Sequence, residues 1–241
     1  MANILESYRY KDAGHPLLYG VAHFAVGQFL KYNYDLEIFG AQYLTRRGPR
    51  VYAGTHTRAL DPGVKGVVTQ EPIPTMAKSE LWTEDRYRKY GVHVGQIISL
   101  VDAFPVRRGE VDRDAIRTGN EHLENGTSIG IFSQGTRSLD FENLLDGAAM
   151  FACSHSVDVQ PLVIATHLDE ESNSERELIR VIASSPIGPD RTKRTKDARK
   201  YLTQQLSTRF IRDYPRAVAW SAHDAKYKNQ IKSPGIIKRY K

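Results

Sequence analysis

Apolar positions near the start of the chain follow two different rhythms. From Pro16 to Tyr32 they recur at helical spacing, with Leu18, Ala22, Ala25 and Phe29 on one stripe and Leu17, Val21 and Phe24 beside it. His23 and Gln28 interrupt the stripe. Two readings fit this helix. It is either an ordinary core helix, or an amphipathic helix lying in a membrane interface with Tyr19 and Tyr32 at headgroup level. From Tyr34 to Phe39 the rhythm changes to alternation and stops at Gly40, which predicts a strand.

The rest of the chain repeats this exchange. A turn at Arg46-Arg47-Gly48-Pro49 precedes a strand at 51–53, and Asp61-Pro62 opens a helix running to about Thr69. Thr75 to Ala77 reads as a short strand, and Lys78-Ser-Glu-Leu81 leads into a polar helix up to Tyr90. The apolar run Ile97 to Val106 predicts a strand ending in Arg107-Arg108-Gly109. Asp112 caps a helix that closes at Asn125-Gly126. A strand at 128–132 runs into Ser133-Gln-Gly-Thr-Arg-Ser138. A helix near 144–155, strands at 157–165 and 177–183 around a charged loop (169–176), a helix from 191 to about 212 and a basic tail from Lys226 to Lys241 complete the pattern. Strands alternating with helices predict an α/β fold: a two-layer or three-layer sandwich with a mainly parallel or mixed central sheet flanked by helices, plus the N-terminal amphipathic helix.

Composition narrows the classes. At 241 residues, with 40% hydrophobic and 26% charged positions, the chain suits one globular domain with a full core. The lone Cys153 rules out an internal disulfide framework and, within an apolar run, reads as an inert core thiol. The N-terminus has no secretory-signal pattern, and no apolar run is long enough for an uninterrupted spanning helix. A net charge of +6 suits an anionic partner such as a phospholipid surface or a phosphorylated substrate. Nucleic acid is not expected, because no zinc-finger or RNA-binding aromatic signature is present. The eight histidines are scattered, so no metal site and no cofactor are expected.

The candidate chemistry lies in loops that follow strands. His56 and Asp61 frame the turn after the strand at 51–53, with four residues between them. A continuous helix would place them about 140° apart, so they meet only if the intervening residues bend. The alternative is a helix-capping Asp61 beside an ordinary loop histidine. Arg108 and the loop 133–138 also follow strands, and loops on one edge of an α/β sheet converge on one crevice. That crevice would hold a histidine with a carboxylate, arginines whose planar forks suit phosphate, and a turn rich in N–H and hydroxyl donors.

Taken together, His56-x-x-x-x-Asp61, Lys78-Ser-Glu-Leu81, FPVRRG at 104–109, Gly135-Thr-Arg-Ser138 and a strand containing Pro161 occur in an order that resembles the glycerolipid acyltransferase family, typified by the 1-acyl-sn-glycerol-3-phosphate acyltransferases. The resemblance covers roughly residues 34–190. It implies transfer of an acyl group from acyl-CoA or acyl carrier protein to a hydroxyl of a lysophosphatidic-acid-like acceptor. His56 would then be the general base and Asp61 its orienting partner. Arg108, Gly135, Thr136 and Arg137 would bind the acceptor phosphate, with Lys78, Arg107, Gln134, Ser138 and Pro161 as further candidates. The resemblance also implies a membrane-associating segment at 1–33 and an acyltransferase domain at 34–215, which leaves a basic C-terminal tail at 216–241. It places the protein on the cytoplasmic face of an anionic membrane.

The chemistry fits without a covalent intermediate. A thioester is already activated, so a base near neutral pH suffices, and a carboxylate on its second nitrogen fixes the tautomer. Two departures bear on the acceptor. Ser133 and Gln134 stand where the family usually has Pro-Glu, and Leu144-Leu-Asp146 precedes Gly147 where a basic residue is common. Glutamine is neutral and partly a donor, so it cannot make the ion pair that a glutamate makes with arginine. Another lysophospholipid, a glycolipid or a small hydroxyl or amine compound is therefore an alternative acceptor. A non-catalytic lipid-binding protein is the alternative from a different class.

Overall fold

The structure is a computed structural model that describes residues 16–45, 48–69, 71–89, 91–168 and 176–219. Residues 1–15, the Arg46-Arg47 pair, nearly all of the charged loop and the tail from position 220 lie outside the described residues. Five strands form the central sheet: β1 (Tyr34–Phe39), β2 (Val51–Gly54), β7 (Ile129–Ile131), β8 (Val159–Leu168) and β9 (Glu177–Ala183). Their order is β1-β9-β8-β2-β7. Every neighbouring pair is parallel except β8 and β9, which are antiparallel and joined in sequence. The sheet is therefore mixed and mainly parallel.

Strand alternation sends successive side chains to opposite faces, and each face carries its own helical layer. On one face Leu36, Ile38, Tyr52, Leu162, Ile164, Ile179 and Val181 pack with Leu30 of α1 (Pro16–Asn33) and Val64 and Val68 of α2 (Asp61–Val68). On the other, Val51, Ala53, Ile129, Ile131, Val159, Val163 and Ala165 meet three helices. These are α5 (Arg113–Glu124), α6 (Gly147–His155) and α7 (Thr195–Ala219), which contribute Leu123, Phe151, Leu202, Leu206 and Phe210. The result is a three-layer sandwich. α7 continues past position 215 to Ala219.

α1 has a buried side and an exposed apolar side. Tyr19 and Leu30 are core residues, and the Tyr19 hydroxyl accepts a hydrogen bond from the Ile73 amide at 3.1 Å. Tyr19 is thus not at headgroup level. The other side exposes Leu17 (80%), Val21 (58%) and Phe24 (60%), so the helix is apolar on two sides rather than amphipathic in the ordinary sense.

The segment between α2 and α5 departs most from the sequence pattern. The polar helix expected up to Tyr90 is only α3 (Glu80–Thr83), a single turn at 85–87 and a tiny antiparallel pair, β4 (Arg88–Lys89) with β5 (Val92–His93). The strand expected at 97–106 is α4 (Val94–Ile98), a turn at 99–101 and then β6 (Phe104–Val106). Trp82 lies against Gly95 and donates from its indole N–H to Ser99 Oγ at 3.1 Å, which holds this run helical. A short apolar run has no intrinsic preference strong enough to resist such packing. β6 pairs in parallel with β3 (Met76–Lys78), outside the main sheet.

Candidate active site

β2 delivers His56 to the sheet edge. Thr55 continues the pairing with β8: its N–H donates to Leu162 O at 2.9 Å, and its buried hydroxyl donates to Ile164 O and accepts from Ile164 N. His56 is therefore the first residue free of the ladder. The chain then bends and enters α2. Asp61 is not the helix cap; Leu60 holds the N-cap position. The Asp61 carboxylate instead turns back over the loop. One oxygen, Oδ2, accepts from Thr57 N at 2.6 Å and Arg58 N at 2.7 Å, and stands 3.3 Å from His56 Nδ1. The bend that brings the pair together is thus made by the carboxylate itself.

That geometry suits one tautomer of the imidazole. An ionised carboxylate only accepts, so Nδ1 carries the hydrogen and Nε2 presents its lone pair. Asp61 is 1% exposed and His56 is partly exposed. The imidazole stacks on Phe132, with ring centroids 4.5 Å apart and planes 29° from parallel. Phe132 in turn lies close to β2 because residue 54 is glycine: a Cβ there would stand 2.9 Å from its ring.

Phe132 directly follows β7, and the loop 133–138 comes next. The Gly135 N–H closes a turn onto Phe132 O at 3.0 Å, and its φ of +69° favours glycine. Ser138 N donates to His56 O at 2.9 Å, which ties this loop to the histidine's own peptide. The Gln134 side chain makes a second tie. Its Oε1 accepts from His56 N at 2.5 Å, and its Nε2 donates to His56 O at 3.5 Å and to Ser138 O. The Ser138 hydroxyl accepts from Asp140 N and shapes the loop exit.

Arg108 reaches the same loop by another route. It follows β6, which lies outside the main sheet, so a shared strand edge does not explain its position. Its guanidinium donates to Gly135 O at 2.7 Å and to Glu80 Oε1 at 3.3 Å. The Glu80 carboxyl is held below the usual range, first by its own backbone N–H and then by Arg108. Thr136 and Arg137 are exposed, and Arg137 has no hydrogen-bond or ion-pair partner among the described residues.

Three candidates lie elsewhere. Arg107 is engaged by Asp112 and Glu110 at the start of α5. Lys78 sets its ammonium 3.8 Å from the centroid of the Tyr87 ring and donates to the Tyr87 hydroxyl. Pro161 is buried in β8 opposite Ala53, one strand removed from the loops, where it supports the sheet. Conversely, Phe132, Thr55 and Glu80 shape the site without being singled out by the sequence. An aromatic residue at a strand's end was the only signal for Phe132. Among the described residues, no three His, Cys, Asp or Glu side chains group to hold a metal ion.

The site thus sets a carboxylate-oriented imidazole beside a loop whose exposed Arg137 has no side-chain partner among the described residues. The acyltransferase family model matches residues 35–165, more than half the chain and all the residues just described at His56, Asp61, Arg108 and 133–138. A curated relative, the 1-acyl-sn-glycerol-3-phosphate acyltransferase of Bacillus subtilis, is 28% identical over 141 residues. That match spans 58% of this chain and 66% of the relative's own length. Among solved structures, the 1-acyl-sn-glycerophosphate acyltransferase of Thermotoga maritima superposes with a TM-score of 0.62 at 18% identity. It covers 84% of this chain and 81% of that one, a likeness of fold. With its match over more than half the sequence, the chain belongs to the acyltransferase family.

Proposed function

We propose that the protein transfers an acyl group from a thioester donor, acyl-CoA or acyl carrier protein, to the hydroxyl of a lysophosphatidate-like acceptor. The observation that carries this reading is the tie between His56 and the loop 133–138, which sets a base beside an anion-binding loop. His56 Nε2 takes the acceptor hydroxyl's proton as its oxygen attacks the thioester carbonyl. The tetrahedral intermediate collapses, the C–S bond breaks, and the imidazolium returns the proton to the departing thiolate. Asp61 holds the imidazole in the required tautomer and stabilises its protonated form. Thr136, the loop amides and the unpaired Arg137 receive the acceptor phosphate, and Arg108 braces the loop through Gly135.

Gln134 does not point to a different acceptor, because its side chain is spent on backbone groups of His56 and Ser138. The names of the two relatives support a lysophosphatidate acceptor. Membrane contact is supported by the exposed Leu17, Val21 and Phe24 of α1, which packs against the turn bearing the exposed Leu100. Such a patch suits an interfacial docking face, and the net charge of +6 suits anionic lipid on the cytoplasmic side. No helix among the described residues is long and apolar enough to cross a membrane. Mass spectrometry of products from mixed acyl donors and a panel of lysolipids tests the reading. Acylated lysophosphatidate is the expected product. Vesicle binding without thioester consumption would replace the reading with a lipid-binding role.

A further inference from the structure

We infer that Gln134 is a positioning residue that holds the His56 peptide through both ends of its carboxamide, and that only a neutral side chain can do this. The inference rests on the acyltransferase reading of the same site. The backbone around Gln134 offers one donor and two acceptors: His56 N–H, His56 C=O and Ser138 C=O. A carboxamide matches that set, with Oε1 on the N–H and Nε2 on the two carbonyls. The opposite amide orientation would set N–H against N–H, so the pattern assigns the oxygen and nitrogen without ambiguity. The side chain is 9% exposed, so water cannot replace a lost partner cheaply.

An ionised glutamate would satisfy the His56 N–H but would face two carbonyl oxygens with its second oxygen. Protonated, it could donate to one of them. The residue that departs from the family's usual sequence is therefore the one this backbone requires. The imidazole acts through the same peptide: its N–H and C=O are held by the loop, its Nδ1 by Asp61, and its ring by Phe132. Releasing the peptide frees the ring to leave the line between base and acceptor.

The titratable and charged groups around position 134 are the His56 imidazole on the loop after β2, Asp61 at the start of α2, Arg137 on Gln134's own loop, and Arg108 reaching from beyond β6. Arg108 is turned to Gly135 O and Glu80, and Asp61 Oδ2 to the amides of Thr57 and Arg58. None of these four makes a hydrogen bond to the Gln134 side chain among the described residues.

The test compares Gln134→Glu, Gln134→Met and the unaltered protein for kcat and acceptor KM from pH 5.5 to 8.5, with a thermal melt at each pH to confirm folding. Gln134→Met, which removes the hydrogen bonds at similar volume, should lower kcat on the order of tenfold or more at every pH. Gln134→Glu should approach the unaltered kcat toward the acid end, because burial against two carbonyl oxygens raises the introduced carboxyl's pKa and favours its protonated form there, and lose on the order of tenfold relative to it as pH rises. A Gln134→Glu profile parallel to that of the unaltered protein, in folded samples, overturns the inference. His56→Ala in the same assay separates the two levels. If it abolishes turnover while the profiles stay parallel, only the role of Gln134 fails; if it retains turnover, the acyltransferase reading of the site fails.

Discussion

Lys65 sits fully buried beneath the candidate site, and replacing it with methionine should stabilise the protein in a way that depends on pH. Its side chain is 1% exposed. The ammonium donates to Thr75 Oγ1 at 2.9 Å and lies 4.6 Å from the centroid of the Phe132 ring, and no carboxylate pairs with it among the described residues. Burial pulls its pKa down from 10.5 to about 7. Between those values the unfolded chain binds a proton that the folded chain does not, so stability rises with pH across that window. The penalty is fully present below the folded pKa and vanishes above the unfolded one. At 1.36 kcal/mol per unit, it amounts to about 4 kcal/mol at pH 7 and about 1 kcal/mol at pH 9.5. Methionine fills the stem's volume and carries no charge, but forfeits the Thr75 hydrogen bond, a loss of about 1 kcal/mol. Thr75 keeps its own donation to Ile73 O. Lys65→Met should therefore gain about 3 kcal/mol at pH 7 and close to nothing at pH 9.5. Urea denaturation followed by circular dichroism at both pH values measures this. Groups common to both proteins cancel in the difference. A Lys65→Met advantage that is absent at pH 7, or that does not shrink as pH rises, would refute the reasoning.

Two further outcomes follow from the site and the exposed helix. Arg137→Ala should raise the KM for a phosphate-bearing acceptor roughly tenfold or more, with kcat little changed, because a charge-assisted contact is lost outside the reacting atoms. Steady-state kinetics against acceptor concentration checks this, and an unchanged KM would remove Arg137 from the anion pocket. Replacing Val21 and Phe24 together with serine should weaken sedimentation with anionic vesicles on the order of tenfold or more, with the melting temperature nearly unchanged. Equal binding by both proteins would move the membrane contact away from α1.

Elements bounded by turns and filled by regular alternation were legible in the sequence. β1 and β9 occupy the predicted 34–39 and 177–183, and α2 starts at the predicted Asp61. Segments whose form is imposed from outside were not. Ile97 and Ile98 read as strand but coil into α4 because Trp82 packs over Gly95. The membership of His56, Asp61 and the 133–138 loop in one site could be read from their places after strands. How they meet could not. Asp61 reads locally as a cap, whereas its carboxylate gathers amides from the loop before it. Gln134 reads as a lost charge, whereas its partner His56 stands 78 residues away. Such a partner is a backbone group, which leaves no trace in residue types. Arg108 reaches the loop through a small separate sheet that no periodicity announced.

Thiol release from a long-chain acyl-CoA, followed with and without lysophosphatidate for the unaltered protein and for His56→Ala, tests the proposed chemistry most directly. Acceptor-dependent release by the unaltered protein, lost by several orders of magnitude in a folded His56→Ala variant, is the predicted result. Equal release by the two proteins would contradict His56 as the base.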